Sequence, residues 1–249
     1  MNIIKAENLD TINWISHGFF DRTDGFSSGP HDSLNVGINR GDDNNLVLKN
    51  RAKIAESFGV DLSAMVILNQ THSGIVHIID ESNINKYKYK SVEQALKNEG
   101  DAIITKLPNL LIGVNTADCA PILLCDTEKQ YIAAIHSGWR GTIGCIIENT
   151  VEKLKMLGCS NLVAAIGPCV NILKVSKNDI PPKYSDFVNI CDGDVYFNMA
   201  RLIIKKLTKY DVSDVLNLNI NTISQENFFS YRRLNGVTGV QFSGIIKKA

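Results

Sequence analysis

The stretch from 65 to 136 constrains the fold more than any other part of the chain. It holds six short apolar, β-branched runs, MVILNQ, IVHIID, DAIIT, LLIGVN, PILLCD and YIAAIH, separated by polar or Gly/Pro punctuation. Runs of that length and content predict strands rather than helices. Further strands are expected at LVAAIG near 162, VLNLN near 215 and VQFSGII near 240. Helical periodicity is clearest where Ile143, Ile146, Ile147, Val151, Leu154 and Leu157 recur on one face, with Gly158 placed to stop the helix. Weaker helices of the same kind are predicted at about 44 to 58 and about 195 to 210. Strands that follow one another with few helices between them do not build a regularly alternating βαβ fold. The expected class is therefore α+β with mixed β-sheets. No linker, low-complexity tract or fixed-period repeat divides the 249 residues, so one domain over 1–249 is expected. A hydrophobic share of 44% suffices for a substantial core and excludes collagen-like, coiled-coil and disordered chains.

Charge narrows the partners. Lys+Arg and Asp+Glu both number 26, so no global field draws in a polyanion, and no nucleic-acid partner is expected. The substrate should be small, with any anion it carries gripped locally. The opening MNIIKAENLDTINWIS lacks the marks of a signal peptide, and the apolar runs stop short of the roughly 18 residues that span a bilayer. A cytoplasmic protein with no membrane partner is the expectation. The six cysteines form no CxxC pair; in a reducing compartment each is packing or a ligand.

Three polar segments interrupt the strand-rich region: NQTHSG at 69 to 74, TADCAP at 116 to 121 and IHSGWRG at 135 to 141. Each places one good metal ligand at a strand end, His72, Cys119 and His136, far apart in the chain but able to converge through the fold. Three protein ligands with a fourth position open is the pattern of catalytic zinc, and thiolate with imidazole suits zinc better than a hard ion. A lone His or Cys is also ordinary core material. His77, five positions from His72, would lie on the opposite face of a continuous strand, and Cys125, six positions from Cys119, is too far along its strand to share an ion.

Taken in order, NQTHS, GDAIIT, NTADCAPILL, AAIHSGWRGT, AAIGPC and FFSYRR resemble the laccase-domain family of bacterial YfiH-type proteins, whose members are labelled polyphenol oxidase, peptidoglycan editing factor and purine nucleoside phosphorylase. The likeness spans nearly the whole chain, from HGFFDRTDGFSSGPHDSLNVG at 17 to 37, through NR at 50 to 51, to the final FFSYRR. It implies a layered α/β/β/α sandwich and one zinc ion on His72, Cys119 and His136. The activity it implies is phosphorolysis of purine nucleosides, with adenosine deaminase and methylthioadenosine phosphorylase activities. A monomer or small homo-oligomer acting on a purine nucleoside and phosphate is expected. Phosphate recognition calls for guanidinium forks. The candidates are Arg51, Arg140 and the pair Arg232 and Arg233, of which adjacent extended positions let only one face the site. Gln70 and Asn35 are candidate substrate hydrogen-bonders or turn builders. Asp118 is a candidate catalytic acid or base, an acceptor for a histidine ligand, or a turn cap. Phe228, Phe229 and Tyr231 either stack on a purine or belong to the core, and Trp139 is expected to anchor its loop.

Other readings compete. One is a hydrolase that removes a misincorporated amino acid from peptidoglycan precursors, as the editing-factor label implies. Another is a copper polyphenol oxidase, less favoured because three ligands cannot assemble a several-copper cluster. The third is a non-catalytic module with a closed structural zinc, for which His17 is the candidate fourth ligand. The sequence also departs from the family at GPCVNILKVS and at Asn221-Thr222, where Cys-Thr is usual, so the substrate pocket is expected to differ.

Overall fold

In the computed structural model, which describes every residue except Lys90, alternating apolar positions build two large sheets that face each other. The chain begins with β1 (Ile3–Ile4), the one-turn α1 (Glu7–Asp10) and β2 (Ile15–Phe20), followed by α2 (Asn44–Ser57), β3 (Met65–Val66), β4 (Val76–Ile79) and α3 (Val92–Lys97). Next come β5 (Ala102–Thr105), β6 (Leu111–Thr116), β7 (Ala120–Asp126), β8 (Ile132–Ser137), α4 (Trp139–Ile143), α5 (Ile146–Met156) and β9 (Leu162–Ile166). The remainder is β10 (Ile172–Val175), β11 (Val188–Cys191), β12 (Asp194–Asn198), α6 (Met199–Lys209), β13 (Asp214–Asn217) and β14 (Gln241–Lys247).

The first sheet runs β1-β2-β14-β6-β3 and the second β13-β9-β7-β8-β5-β4, with a small third sheet β10-β12-β11 beside them. The two large sheets are mixed. β3 lies parallel to β6, β4 to β5 and β13 to β9, whereas β5, β7 and β8 pair antiparallel.

Period-two alternation decides the layering. In the second sheet Ile104, Ile122, Leu124 and Ile135 pack against Ile147 and Val151 of α5 and Leu202 and Ile203 of α6. The intervening Ile103, Leu123 and Ala134 meet Ile112 of β6 and Ile245 of β14 across the space between sheets. On the outer face of the first sheet Leu111, Phe242 and Ile246 cover Ile54 and Ala55 of α2. The order is α/β/β/α, the mixed-sheet sandwich that the resemblance implies.

Three local expectations change. The helix predicted from Ile143 onward is split, because Cys145 adopts a left-handed φ of 71° that separates α4 from α5. Gly158, at φ 86°, does follow the helix end. The helix predicted from about 195 starts only at Met199, where the Asn198 side chain accepts from Arg201 N at 3.0 Å, and residues 194–198 form β12. The strand predicted over MVILNQ is continuous only at Met65–Val66, with an isolated bridge from Asn69 to Glu99, and His72, at φ 58°, lies in a bend, so the parity separating it from His77 does not apply. Among the described residues no helix is long and apolar enough to cross a membrane.

Candidate metal centre and its pocket

Two links between the sheets and one strand end deliver the ligand-type side chains to one end of the sandwich. His72 lies between β3 and β4, Cys119 between β6 and β7, and His136 near the end of β8. One ligand atom from each lies within 4.8 Å of the others, and the two imidazole rings sit 4.9 Å apart at 61°. Among the described residues this is the one His/Cys/Asp/Glu group of three or more so arranged, and it could hold a metal ion. Gly138 explains why the group can close up. A Cβ there would stand 2.6 Å from His72 Nδ1 and 2.9 Å from Cys119 Sγ, so a larger residue would push into the donors.

One carboxylate organises two of the three. Asp101, 1% exposed at the start of β5, accepts from His136 Nδ1 at 2.7 Å and from His72 N at 3.0 Å through the same oxygen. Its other oxygen takes Ser73 N at 2.6 Å, Ser73 Oγ at 2.7 Å and Thr71 N at 3.3 Å. With Nδ1 committed, His136 turns Nε2 toward the cluster. Burial raises the Asp101 pKa, but the hydrogen bonds from His136 and Ser73 outweigh it and hold the carboxyl at about 2. For His136 burial lowers the pKa, and the fields of Cys119 and Asp101 override it, giving about 9 without a metal. His72 is brought to about 4, by burial first and then by the charge of His136, with Arg140 and Arg40 adding to it against Asp101.

The cluster opens into a pocket of about 680 Å³, within the size range of small-molecule sites. Arg40, Arg140 and Arg232 stand in its wall with Trp139, Tyr231 and Gln70. Arg140 stacks its guanidinium 4.3 Å from the Trp139 ring centre, so Trp139 both anchors the loop and lines the pocket. Of the paired arginines, Arg232 faces the pocket. Arg233 donates to the carbonyls of Thr222, Ile223, Gln225 and Phe228 and lines a separate open depression.

Other expected site residues are placed elsewhere or in other roles. Asp118, at φ 90°, accepts from Thr222 Oγ1 and Arg232 N, both at 2.7 Å, and braces the pocket loops. The histidine-acceptor role considered for it is taken by Asp101. Gln70 closes a two-way bond with the Asn115 backbone, 2.7 Å each way, and still lines the pocket. Asn35 is fully buried, accepts from Gly37 N and Val240 N, donates to Asp42, and does not line the pocket. Arg51 is also buried and lines a small neighbouring cavity instead. His17 accepts from Ala6 N at 2.8 Å inside β2, apart from the cluster, so it supplies no fourth ligand. His77 is held by Tyr87 and Glu99. Phe228 and Phe229 are core, whereas Tyr231 is 59% exposed on the pocket rim. All six cysteines are free, and burial pushes Cys125, Cys159 and Cys169 up to about 12.

Sequence reasoning missed Asp101, Arg40 and Gly138. Asp101 had a signal, a Gly-Asp pair opening DAIIT, but nothing local says which strand end that aspartate will meet. Gly138 lay within a quoted motif, and its role shows only when both donors are in place.

Fold and site together define a two-sheet sandwich with a Cys/His/His cluster at the base of a small-molecule pocket. The chain belongs to the family described as multi-copper polyphenol oxidoreductase laccase, whose family model matches residues 16–248. Its relatives carry names from purine nucleoside chemistry. It is 32% identical over 246 residues to a purine nucleoside phosphorylase of Deinococcus radiodurans, covering 95% of this chain and 89% of that one. It is 33% identical over 225 residues to adenosine deaminase RL5 from an unknown prokaryotic organism, 84% of each. The crystal structure of YlmD from Geobacillus stearothermophilus superposes with a TM-score of 0.85 at 25% identity, over 96% of this chain and 93% of that one.

Proposed function

We propose that this chain is a zinc-dependent purine nucleoside phosphorylase, converting adenosine-, inosine- and guanosine-type nucleosides with phosphate into base and ribose 1-phosphate. Adenosine deaminase and methylthioadenosine phosphorylase activities would share the site. The observation that carries this reading is that the His72, Cys119 and His136 cluster shares one pocket with Arg40, Arg140 and Arg232. The names of the relatives support the same reaction class.

The donor set fits zinc: one thiolate and two imidazoles, with His136 oriented by Asp101. Zinc on His72, Cys119 and His136 would leave one position open and supply Lewis-acid polarisation of an oxygen nucleophile. A multi-copper oxidase needs several metal clusters, and the described residues offer one. A closed structural zinc needs a fourth protein ligand, which His17 does not provide.

The rest follows from the chain's own groups. Arg40, Arg140 and Arg232 would grip phosphate in bidentate fashion and hold it against the sugar. In phosphorolysis a C1′–oxygen bond forms as the C1′–nitrogen bond breaks, and the purine leaves with the electron pair. Asp118 is committed as an acceptor from Thr222 and Arg232 N, so its work is to hold the Arg232 segment rather than to donate a proton to the base. Trp139 and Tyr231 offer aromatic faces to the base. Six free thiols agree with a reducing cytoplasm.

The test incubates purified protein with adenosine or inosine, with and without phosphate, and separates base from nucleoside, alongside elemental analysis. Phosphate-dependent release of base with about one zinc per chain is expected from the three-ligand site. Zinc-loaded protein that releases no base would overturn the reading.

A further inference from the structure

Beside the main pocket lies a small cavity of about 40 Å³ that holds a buried cation with no acidic residue among the described residues of its wall. Arg51, on α2, is 7% exposed, and its guanidinium makes one protein hydrogen bond among the described residues, from Nε to Val36 O at 2.8 Å. A guanidinium carries five N–H donors, so four are left for something else. Among the described residues no aspartate or glutamate lines the cavity. The chain treats its other deeply buried cation differently, pairing Lys206 with Glu148 and with Thr142 O. A buried charge without a counter-charge is costly, and groups in that position normally pair or neutralise. Burial brings the Arg51 pKa down to about 10, against an opposing pull from Tyr89, which still leaves it cationic near neutral pH.

The rest of the wall suits an anion. Arg40 adds a second positive charge, and Asn69, Gln70 and Asn115 add amides. Asn115 Oδ1 is buried without a partner, and exchanging the amide oxygen and nitrogen by a half-turn would put a donor at that point. The volume is about three times the roughly 10–15 Å³ that one water needs by the same measure. That room excludes a nucleoside and admits a tetrahedral oxyanion. Arg40, Gln70 and Asn115 also line the main pocket, so the two spaces share a wall.

We infer that Arg51 and Arg40 form a second anion site, separate from the metal-cluster pocket, that takes a phosphate-type oxyanion. The anion is free phosphate, or the phosphate group of a nucleotide whose nucleoside lies in the main pocket. Because Arg40 belongs to both walls, filling the inner site fixes an arginine that also faces the substrate.

The experiment measures binding of inorganic phosphate by calorimetry and by thermal shift, with sodium chloride at equal ionic strength as control. Wild-type protein should bind two phosphates per chain. An Arg140→Ala/Arg232→Ala variant should lose one of them and keep the other, its Tm rising by about 5–10 °C at a hundredfold excess over Kd. Arg51→Gln should abolish the retained site. Should Arg51→Gln fail to fold for want of the Val36 bond, Ala95→Leu decides, since it fills the cavity and leaves that bond intact. An adenosine monophosphate arm separates the sources. Displacement of the retained phosphate by the nucleotide, lost in Ala95→Leu, assigns the site to a nucleotide phosphate; lack of displacement assigns it to the free ion. The inference is overturned if the double variant binds no phosphate, if Ala95→Leu binds like wild type, or if chloride gives the same shift. Base release by wild-type protein reports separately on phosphorolysis, so the two readings fail independently.

Discussion

Replacing Asp101 by Asn removes one charge and almost no volume, yet it should disturb the site from two directions at once. The carboxylate has donors on both oxygens: His136 Nδ1 and His72 N on one, Ser73 N, Ser73 Oγ and Thr71 N on the other. A carboxamide can accept on one side only. If its oxygen stays with Ser73, its NH₂ faces His136, and the ring must turn an acceptor toward it and carry its proton on the nitrogen that faces the cluster. If the oxygen stays with His136, the NH₂ opposes the Ser73 N–H. Either arrangement orphans a buried donor or inverts a tautomer, at about 1–3 kcal/mol, or a fall in Tm of roughly 2–12 °C for a chain of this size. Metal affinity should fall about 10- to 100-fold, the usual consequence of losing a histidine ligand's acceptor. Zinc titration against a fluorescent chelator measures the affinity, and scanning fluorimetry of metal-free protein measures the Tm. Asp101→Asn protein with wild-type zinc affinity would refute the assignment of Asp101 as the residue that sets the His136 tautomer, whatever its Tm.

Three further outcomes are expected. Gly138→Ala places a methyl 2.6 Å from His72 Nδ1 and 2.9 Å from Cys119 Sγ, so zinc affinity should fall while the metal-free Tm stays near wild type; an unchanged affinity would contradict the crowding. In metal-free protein His136 is held at about 9 against an ordinary 6.5, so the stability it contributes is full below about 6.5 and is lost as pH rises toward about 9. Zinc binding near neutral pH should therefore release a proton from His136, read by calorimetry in buffers of different ionisation enthalpy, and heats independent of buffer would count against it. Lys206→Met leaves the partly buried Glu148 carboxylate unpaired and should cost up to about 3–5 kcal/mol in urea unfolding, with Glu148→Gln restoring part of it; a loss below about 1 kcal/mol would show that the pair is not desolvated.

Alternation made most of the strand layer readable. Ile122, Leu123 and Leu124 are all buried, as continuous apolar runs in a doubly covered sheet must be. ISHGFF carries too little alternation to read as a strand, yet β2 exists because β14 and β1 pair with it on either side. The ligand-type residues His72, Cys119 and His136 could be singled out because each interrupts an apolar run with a polar turn. Arginine roles were not legible. Arg232 and Arg233 are chemically identical neighbours, and it is the carbonyls of Thr222, Ile223, Gln225 and Phe228, brought near by the loop, that draw Arg233 away. Asn35 looked like a substrate contact because polar residues in a matched motif suggest function; here its side chain is spent on Gly37, Val240 and Asp42, whereas Arg51 commits only its Nε, to Val36 O. The break at Cys145 was hidden because the apolar stripe continues across it.

His72 and Cys119 sit on the two links where the chain passes from the first sheet to the second, β3 to β4 and β6 to β7. The distance between these donors is therefore a gauge of how the two sheets sit on each other at that end. A substitution in the shared inner core, such as Ile112→Ala, lies in β6 and leads by its own strand into the Cys119 link. Loosening the seam between the sheets there should be felt at the donors as a change in metal affinity, even though the altered side chain touches none of them. The sandwich and its site then form one mechanical unit, in which amide exchange along β6 and β7 should slow when the donors are bridged.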